Sequence, residues 1–315
     1  MKKKKKEKKI LYQLIFSAFL LFSNAYLVKA NSDILSQDST GKYCINTEQD
    51  YYNFIENIQN YNNKTVILCN DIDISDVPEA TSSFGGILNG KGHTITYASK
   101  EAKENIAVFP FRINDNGIVE NINVQIDESY AYNSETDEFQ TVFSQCDGIA
   151  KGITIKGNVT CIYDDEDEDI SIGAIEGNGT LMDSSIAITY DLQSEKTIEE
   201  IAEDIVENDL EFEFCQLGTT YAGITYQNCI GYGQYSEAIK SLADELEPKI
   251  EDNTWGNLCV SFTRKSFSST SASATNCYYD KENMPDIKIR SEYIANRDNN
   301  KEFPNYADFG KTTSE

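Results

Sequence analysis

Short apolar runs recur along most of the chain, and most of them follow a glycine and lead through a turn into a segment rich in β-branched residues. Such segments between turn residues are typical of β-strands. The initial glycines stand 31 residues apart and are Gly86, Gly117, Gly148 and Gly179. Two further units, Gly218–Tyr226 and Ser268–Cys277, are out of phase because additional residues precede them. The pattern therefore predicts a repeated β-unit of about 31 residues.

Each repeat contains two or three short strands rich in valine, isoleucine and threonine, with glycine or asparagine between them. Most repeats have no helical segment between their strands, which argues against alternating β-α-β winding. We therefore predict an all-β chain folded as a parallel β-helix solenoid of about six coils. Each coil would bury one apolar face and pair with the next at a spacing of about 4.8 Å.

Three segments show helical periodicity instead of strand alternation. The first, residues 47–59, starts with Thr47 as N-cap and is expected to cover the first coil, because the ends of a solenoid expose unpaired backbone groups. The second starts with the capping box Thr197-Ile-Glu-Glu200, and the third starts at Ser236. We interpret the last two as helices inserted between coils.

The first thirty residues have the three parts of an export signal. A lysine-rich start is followed by an apolar core at residues 14–22, and Val28-Lys29-Ala30 suits a signal peptidase, with cleavage expected after Ala30. The apolar core is nine residues long, well below the roughly 20 that span a membrane. We predict a signal peptide at 1–30, an N-terminal segment with the capping helix at 31–60, the β-helix at 61–280 and a C-terminal segment at 281–315.

Composition narrows the possible functions. The chain carries 27 basic and 52 acidic residues, a formal net charge of −25. Removal of residues 1–30 takes away eight lysines and one glutamate, leaving 19 basic and 51 acidic residues and a charge of −32. Such a surface repels polyanions, so no nucleic-acid partner is expected. A single histidine argues against multi-histidine zinc sites, and no second stretch predicts a transmembrane helix in the mature chain.

Several ordered motifs are similar to those of bacterial surface proteins with GLUG-type repeats. The motifs lie at Asn70–Ser75, Phe84–Ile95, Ile106–Phe111, Ile172–Gly177, Tyr221–Thr225, Asn276–Lys281 and Gly310–Glu315. Ile172-Gly-Ala-Ile-Glu-Gly177 resembles the GLUG motif itself. The acidic stretch and both inserted helices depart from that family.

The resemblance implies a right-handed β-helix on an adhesin-like bacterial protein that is secreted or associated with the cell wall. Members of that family often continue into further repeats or anchors where this chain ends. We therefore expect the chain to be either a fragment of a longer surface protein or a short secreted version.

Two groups of residues are candidates for ligand contacts. Aromatic rings can stack on sugars, and the binding candidates are Trp255, Tyr232 and Tyr235. The alternative is that most of the tyrosines pack in the core. Carboxylates bind Ca²⁺, and a weak calcium site, the only cofactor considered, is a candidate at Asp164, Asp165, Glu166 and Asp167. The alternative there is a solvated acidic loop.

An extracellular polysaccharide-active enzyme, either a lyase or a glycoside hydrolase, is the second hypothesis. It would need two or three carboxylates on one face of adjacent coils, and Asp183, Glu120 and Glu176 lie near predicted turns. With so many acidic residues, some will be neighbours by chance. His93 lacks an accompanying nucleophile motif, so we assign it no catalytic role.

The eight cysteines permit four disulfides in an exported protein, with 105 possible pairings. The alternative is that they fill interior positions as small apolar residues. Cys229 and Cys277 both follow asparagine in similar strands, which suits a stacked interior column. We expect mostly buried thiols together with one or two disulfides.

These features together favour a secreted or cell-surface binding and adhesion scaffold. The partner would be a glycan or an extracellular-matrix or cell-surface ligand. Contacts are expected at the insertions 164–169, 194–213 and 235–253, because insertions in solenoids emerge on one face. A purely structural spacer is a third hypothesis.

Overall fold

The structure is a computed structural model. It describes residues 35–75, 77–78, 80, 82–98, 108–131, 140–163, 170–208, 210, 212–216, 224–246, 249, 254–255, 259–262, 273–280 and 310–311. The predicted signal peptide and nearly all of the C-terminal segment therefore lie outside the described residues. Among the described helices, none is long and apolar enough to cross a membrane.

The three predicted helices are present. They are α1 (Glu48–Glu56), followed by a 3-10 turn at Ile58–Tyr61, α2 (Ile198–Glu207) and α3 (Glu237–Leu246). The Thr47 side chain accepts a hydrogen bond from the Asp50 amide. The capping box that begins α2 is complete, since Thr197 and Glu200 each bond the other's backbone amide.

Strands make up most of the remaining described chain. In chain order they are β1 (Tyr43–Ile45), β2 (Thr65–Leu68), β3 (Ile72–Ile74), β4 (Ile87–Asn89), β5 (Thr94–Ala98), β6 (Phe109–Ile113), β7 (Ile118–Glu120), β8 (Asn123–Ala131), β9 (Gln140–Cys146), β10 (Ile149–Lys151), β11 (Thr154–Ile162), β12 (Ile170–Ile175), β13 (Thr180–Met182), β14 (Ser185–Gln193), β15 (Phe212–Cys215), β16 (Thr225–Gln227), β17 (Ile230–Gly231), β18 (Thr254–Trp255), β19 (Cys259–Phe262), β20 (Ser273–Thr275), β21 (Tyr278–Asp280) and β22 (Gly310–Lys311).

These strands form three sheets with almost entirely parallel pairing. The first sheet has the order β1-β2-β4-β7-β10-β13-β16-β20. The second has the order β3-β5-β8-β11-β14-β17-β21-β22, and the third β6-β9-β12-β15-β19-β18. From β4 to β15 the chain visits the first, second and third sheets in turn and then returns to the first. The expectation of a mostly β chain with parallel sheets is confirmed.

The 31-residue spacing is visible directly in the strand register. In the first sheet, Ile87 pairs with Ile118, Ile118 with Ile149, and Ile149 with Thr180. The two out-of-phase units continue the same sheet, because Thr225 pairs with Thr180 and Ser273 pairs with Thr225. The predicted repeat is therefore confirmed as a ladder of in-register strands.

The apolar core lies between the three sheets. In the first sheet the middle residues of β4, β7, β10 and β13 are buried, and these are Leu88, Val119, Ala150 and Leu181. Phenylalanines dominate the third sheet, where the Phe109 and Phe143 rings stack at 4.3 Å between centroids. Stacking in register lets each repeat bury its apolar face on the next, which an isolated repeat could not do.

Helix α1 closes the beginning of this core. Its Phe54 makes edge contacts with Phe84 and Phe111, at 5.4 Å and 5.8 Å between ring centroids. The fully buried Tyr51 donates a hydrogen bond to the Val108 carbonyl at 2.6 Å. The predicted capping role of this helix agrees with these contacts, because they cover apolar side chains at the start of the sheets.

Helices α2 and α3 pack against each other through their apolar faces. The buried residues are Ile201, Ala202 and Ile205 on α2, and Ile239, Leu242, Ala243 and Leu246 on α3. Asp204 anchors α2 to the sheets, since its Oδ2 accepts from Lys196 Nζ at 2.9 Å and from the Tyr163 hydroxyl at 3.1 Å.

The turns between the first and second sheets share one unusual backbone conformation. The residue that follows each strand of the first sheet from β7 onward has a positive φ, at Asn121, Gly152, Asp183, Asn228 and Asn276. Glycine, asparagine and aspartate tolerate this conformation best. Side-chain hydrogen bonds also connect successive turns. The Asn276 amide donates to Asn228 at 3.2 Å, and the Asn228 amide donates to Asp183 at 2.9 Å.

The third sheet departs from parallel pairing at its end. Strand β19 runs antiparallel to both β15 and β18. Strands β18 and β19 follow the second insertion, and the chain reverses there before it rejoins the first sheet at β20. Parallel pairing was expected throughout, and this local reversal was not visible in the repeat pattern.

One disulfide joins Cys44 to Cys69, with 5.8 Å between the Cα atoms. Cys146, Cys161, Cys229 and Cys277 are buried free thiols. Burial raises the pKa of the Cys146 thiol to about 12, and it also raises the pKa of Cys161. The expectation of mostly buried thiols with one or two disulfides agrees with these six cysteines.

Candidate functional site

The second sheet presents a flat polar surface on its outer side. Along β5, β8, β11 and β14 every second side chain points outward, and these residues align in three rows. The rows are Thr94, Asn123, Thr154 and Ser185; then Thr96, Gln125, Lys156 and Ala187; then Ala98, Asp127, Asn158 and Thr189. We call these twelve residues the polar face.

The first row of the polar face is partly occupied by internal hydrogen bonds. The Asn123 amide donates to the Gly92 carbonyl at 2.7 Å, and the Ser185 hydroxyl donates to Thr154 at 3.5 Å. Within the described part of the chain, the side chains of Thr96, Asn158 and Thr189 make no hydrogen bond. The second and third rows therefore offer hydroxyl and amide groups to a ligand.

The net charge of the polar face is close to zero. Hydroxyl and amide groups both donate and accept hydrogen bonds, while the two charged residues, Asp127 and Lys156, have opposite signs. Because neighbouring strands stand about 4.8 Å apart, a ligand lying across them would meet similar polar groups at regular intervals. Such an array matches an extended ligand with many hydroxyl groups.

Tyr232 lies at the edge of the polar face. Its amide bonds the Ile186 carbonyl at 2.9 Å, which extends the register of β17 by one residue and places Tyr232 beside Ala187. The side chain is half-buried. Of the three aromatic candidates, Tyr232 is the one that the strand register brings next to this surface.

Tyr235 is in the core instead. It is 4 % exposed, its ring stacks on Tyr190 at 6.0 Å between centroids, and its hydroxyl donates to the Phe214 carbonyl at 3.1 Å. The ring has no open face for a sugar, so the alternative of core packing holds for this residue. Tyr232, three positions earlier, differs because the chain stays paired with β14 up to Tyr235, and alternation then places the two rings on opposite sides of the sheet.

Trp255 is the last residue of β18, the edge strand of the third sheet, where it pairs with Val260. This position is remote along the strand order from the polar face, so Trp255 remains a separate prediction.

The calcium candidates Asp164, Asp165, Glu166 and Asp167 lie outside the described residues. Within the described ranges, no group of three or more histidine, cysteine or acidic residues could hold a metal ion.

The three carboxylates considered for catalysis do not converge. Glu120 accepts a hydrogen bond from Asn89 at 2.6 Å, while Asp183 lies 3.8 Å from Lys151 Nζ. Lys151 occupies the strand between them in the register. Glu176 precedes β13 and Asp183 follows it, so these two residues lie beyond opposite ends of that strand.

The single histidine connects the beginnings of two strands of the second sheet. His93 Nδ1 lies 3.0 Å from Asp71 Oδ1, and that oxygen also accepts from the Thr94 amide at 2.9 Å. The Thr94 amide and the His93 side chain lower the pKa of the Asp71 carboxyl. The contact ties the start of β5 to the residue before β3, which is a structural role.

Comparison with protein-family models, with curated proteins and with solved structures finds no match. What the chain does must therefore be inferred from its own residues. The contacts were expected on the insertions, and the polar face was not predicted. Alignment of Thr94-Ile-Thr96, Asn123-Val-Gln125, Thr154-Ile-Lys156 and Ser185-Ile-Ala187 on the 31-residue period contains the signal for it.

Proposed function

We propose that the three sheets are the walls of a right-handed parallel β-helix. The repeated passage from the first sheet to the second and third supports this architecture, as do the 31-residue register and the single core between the sheets. Right-handed crossover between parallel strands is nearly universal, which supports the handedness. In this architecture α1 is the N-terminal cap, and α2 and α3 are insertions.

The protein is proposed to act as an exported binding scaffold for a neutral glycan, at the cell surface or in the surrounding medium. The observation that carries this proposal is the polar face, which aligns hydroxyl and amide groups across four consecutive strands. The charge of −32 after removal of residues 1–30 disfavours acidic polymers and nucleic acids. Residues 1–30, with their basic start and short apolar core, support export.

Retention on immobilised glycans tests this function. The full chain would be passed over a panel of neutral and acidic polysaccharides, and we expect retention on at least one neutral glycan. The variant Gln125→Ala/Asn158→Ala removes two exposed amides from adjacent strands of the polar face. Because a hydrogen bond contributes about 1 kcal/mol, the double variant should bind about 10- to 30-fold more weakly.

The matched control is Gln227→Ala/Asn116→Ala, which removes the same two amide types from outside the polar face. Its binding should equal that of the unmodified protein. Equal weakening in both variants would contradict the assignment of the polar face, and retention only on acidic polymers would contradict the neutral ligand. Release of new reducing ends from any polysaccharide would favour the enzyme hypothesis over the scaffold.

A further inference from the structure

Cys229 and Cys277 occupy the same position in successive repeats. Each follows a positive-φ residue, Asn228 or Asn276, and each precedes a strand of the second sheet. The corresponding interior positions in the earlier repeats are Ile122, Ile153 and Ser184. The final two members of this column are thiols, whereas the earlier members are aliphatic side chains or a hydroxyl.

The strands on both sides hold the two cysteines in register. Gln227 pairs with Thr275 before them, and Ile230 pairs with Tyr278 after them. Adjacent strands stand about 4.8 Å apart, which is within the range of Cα separations that a disulfide spans. The Cys229 thiol donates to the Gln227 carbonyl at 3.4 Å, and the Cys277 thiol donates to the equivalent Thr275 carbonyl at 3.5 Å. The backbone therefore needs little rearrangement to accommodate a bond between these sulfurs.

Cys229 and Cys277 are as deeply buried as Cys146 and Cys161, but they differ from them in having each other as neighbours. Cys229 is 1 % exposed and Cys277 is fully buried. The neighbouring Cys229 thiol lowers the pKa of Cys277, whereas burial raises the pKa of Cys146 and of Cys161. Of these four thiols, Cys277 is thus the one most readily converted to the attacking thiolate.

We propose that Cys229 and Cys277 form a disulfide when the chain folds in an oxidising environment. The oxidant is a low-molecular-weight disulfide, RSSR. The Cys277 thiolate attacks one sulfur of RSSR, which forms a mixed disulfide and releases RS⁻, and this takes up the proton lost by Cys277. The Cys229 sulfur then attacks Cys277, loses its proton and displaces the second RSH. Two electrons pass from the cysteines to RSSR, which is reduced to two RSH.

The bond would tie the last two repeats together across the second insertion. The two cysteines are 48 residues apart, and α3, β18 and β19 all lie in the loop that the bond closes. Because both sulfurs are buried in the folded protein, exchange is expected during folding and should be slow afterwards. This inference does not depend on the proposed glycan function.

Thiol mapping of the full chain tests the inference. The reduced protein would be unfolded in guanidinium chloride, refolded with cystine as RSSR, unfolded again without reductant, and alkylated with iodoacetamide. Mass spectrometry of the peptides should then find Cys229 and Cys277 in one linked peptide. Their alkylation should fall at least about tenfold below that of a sample kept reduced.

Two internal references are built into the measurement. Cys44 and Cys69 should be linked, while Cys146 and Cys161 should be alkylated in both samples. Full alkylation of Cys229 and Cys277 after oxidative refolding, with Cys44 and Cys69 linked, would overturn the proposal, as would a link from either to another cysteine. In the variant Cys229→Ser, Cys277 should become fully alkylated, and the mapping does not require that variant to fold.

Discussion

Gly157 illustrates how closely neighbouring strands approach at single positions. It lies in the middle of β11 with φ of 141°, and a Cβ atom there would overlap the carbonyl group of Ile126 on β8. That carbonyl belongs to the backbone, so it cannot rotate away as a flexible side chain would. Only glycine fits both the dihedral angle and the space.

The substitution Gly157→Ala should lower the free energy of unfolding by about 3 kcal/mol, because it combines a disfavoured φ with a backbone collision. Gly92→Ala is the matched control, since Gly92 also has a positive φ of 80° but open space around its Cβ position. The control should cost only about 1 kcal/mol. Chemical denaturation measures both, and equal losses would contradict the steric explanation.

The side chains of Tyr232 and Tyr235 show how strand pairing decides accessibility at single residues. Both follow β17 within a few positions and have the same side chain, yet one is half-buried at the polar face and the other is stacked on Tyr190. The pairing with β14 continues past the end of β17, because Tyr235 still pairs with Tyr190. Alternation along this pairing places residues three positions apart on opposite faces. The sequence alone did not indicate that the pairing extends so far.

Helices were predictable as elements because their caps and apolar periodicity are local. The capping box at Thr197 and the N-cap at Thr47 lie where the sequence placed them. The docking of α2 depends on Tyr163, which precedes the helix by more than thirty residues. No local pattern links that tyrosine to Asp204, so the anchoring contact required the structure.

Replacement of Asp204 by asparagine should weaken the attachment of α2. The carboxylate accepts hydrogen bonds from Lys196 and Tyr163, and both charged side chains are mostly buried, with 22 % and 16 % exposure for Lys196 and Asp204. Loss of the charge should lower the free energy of unfolding by about 2 kcal/mol.

Glu203→Gln is the control on the same helix, because Glu203 is exposed to solvent and precedes Asp204 by one residue. We expect a change below about 0.5 kcal/mol for this control. Thermal or chemical denaturation with circular dichroism gives both values. A small effect of Asp204→Asn would mean that the apolar face of α2 alone holds the helix in place.

For the molecule as a whole, stability should vary along the stack of strands. Strand β11 pairs over nine residues with β8 on one side and with β14 on the other. Strand β20 is three residues long and ends the first sheet. In a stack of nearest-neighbour interactions, an element bonded on both sides opens less often than one at the end.

Hydrogen exchange followed by mass spectrometry should therefore find the slowest exchange in Thr154–Ile162. Protection there should exceed that of Ser273–Thr275 by about 2 kcal/mol, or about 30-fold. Uniform protection of both strands would indicate that all described strands unfold as a single unit, which would contradict the expected gradient.

The overall architecture was more accessible from sequence than any ligand site. Glycines repeated every 31 residues predict the register from β4 to β13, because equal chain length per repeat brings equivalent residues opposite each other. The antiparallel β19 and the polar face were not predicted. The first interrupts the period, and the second becomes visible only when four strands are aligned side by side.

The 31-residue register also bears on how such a chain can change its length. A duplication of one repeat would add a layer whose two faces match those already present, so the neighbouring layers would keep their partners. A duplication of another length would keep the later strands paired only if its additional residues left the stack as an insertion, as the residues before Thr225 and Ser273 do. The genetic consequence is that the protein lengthens or shortens by whole repeats, so the length of the stack depends on how many repeats are retained.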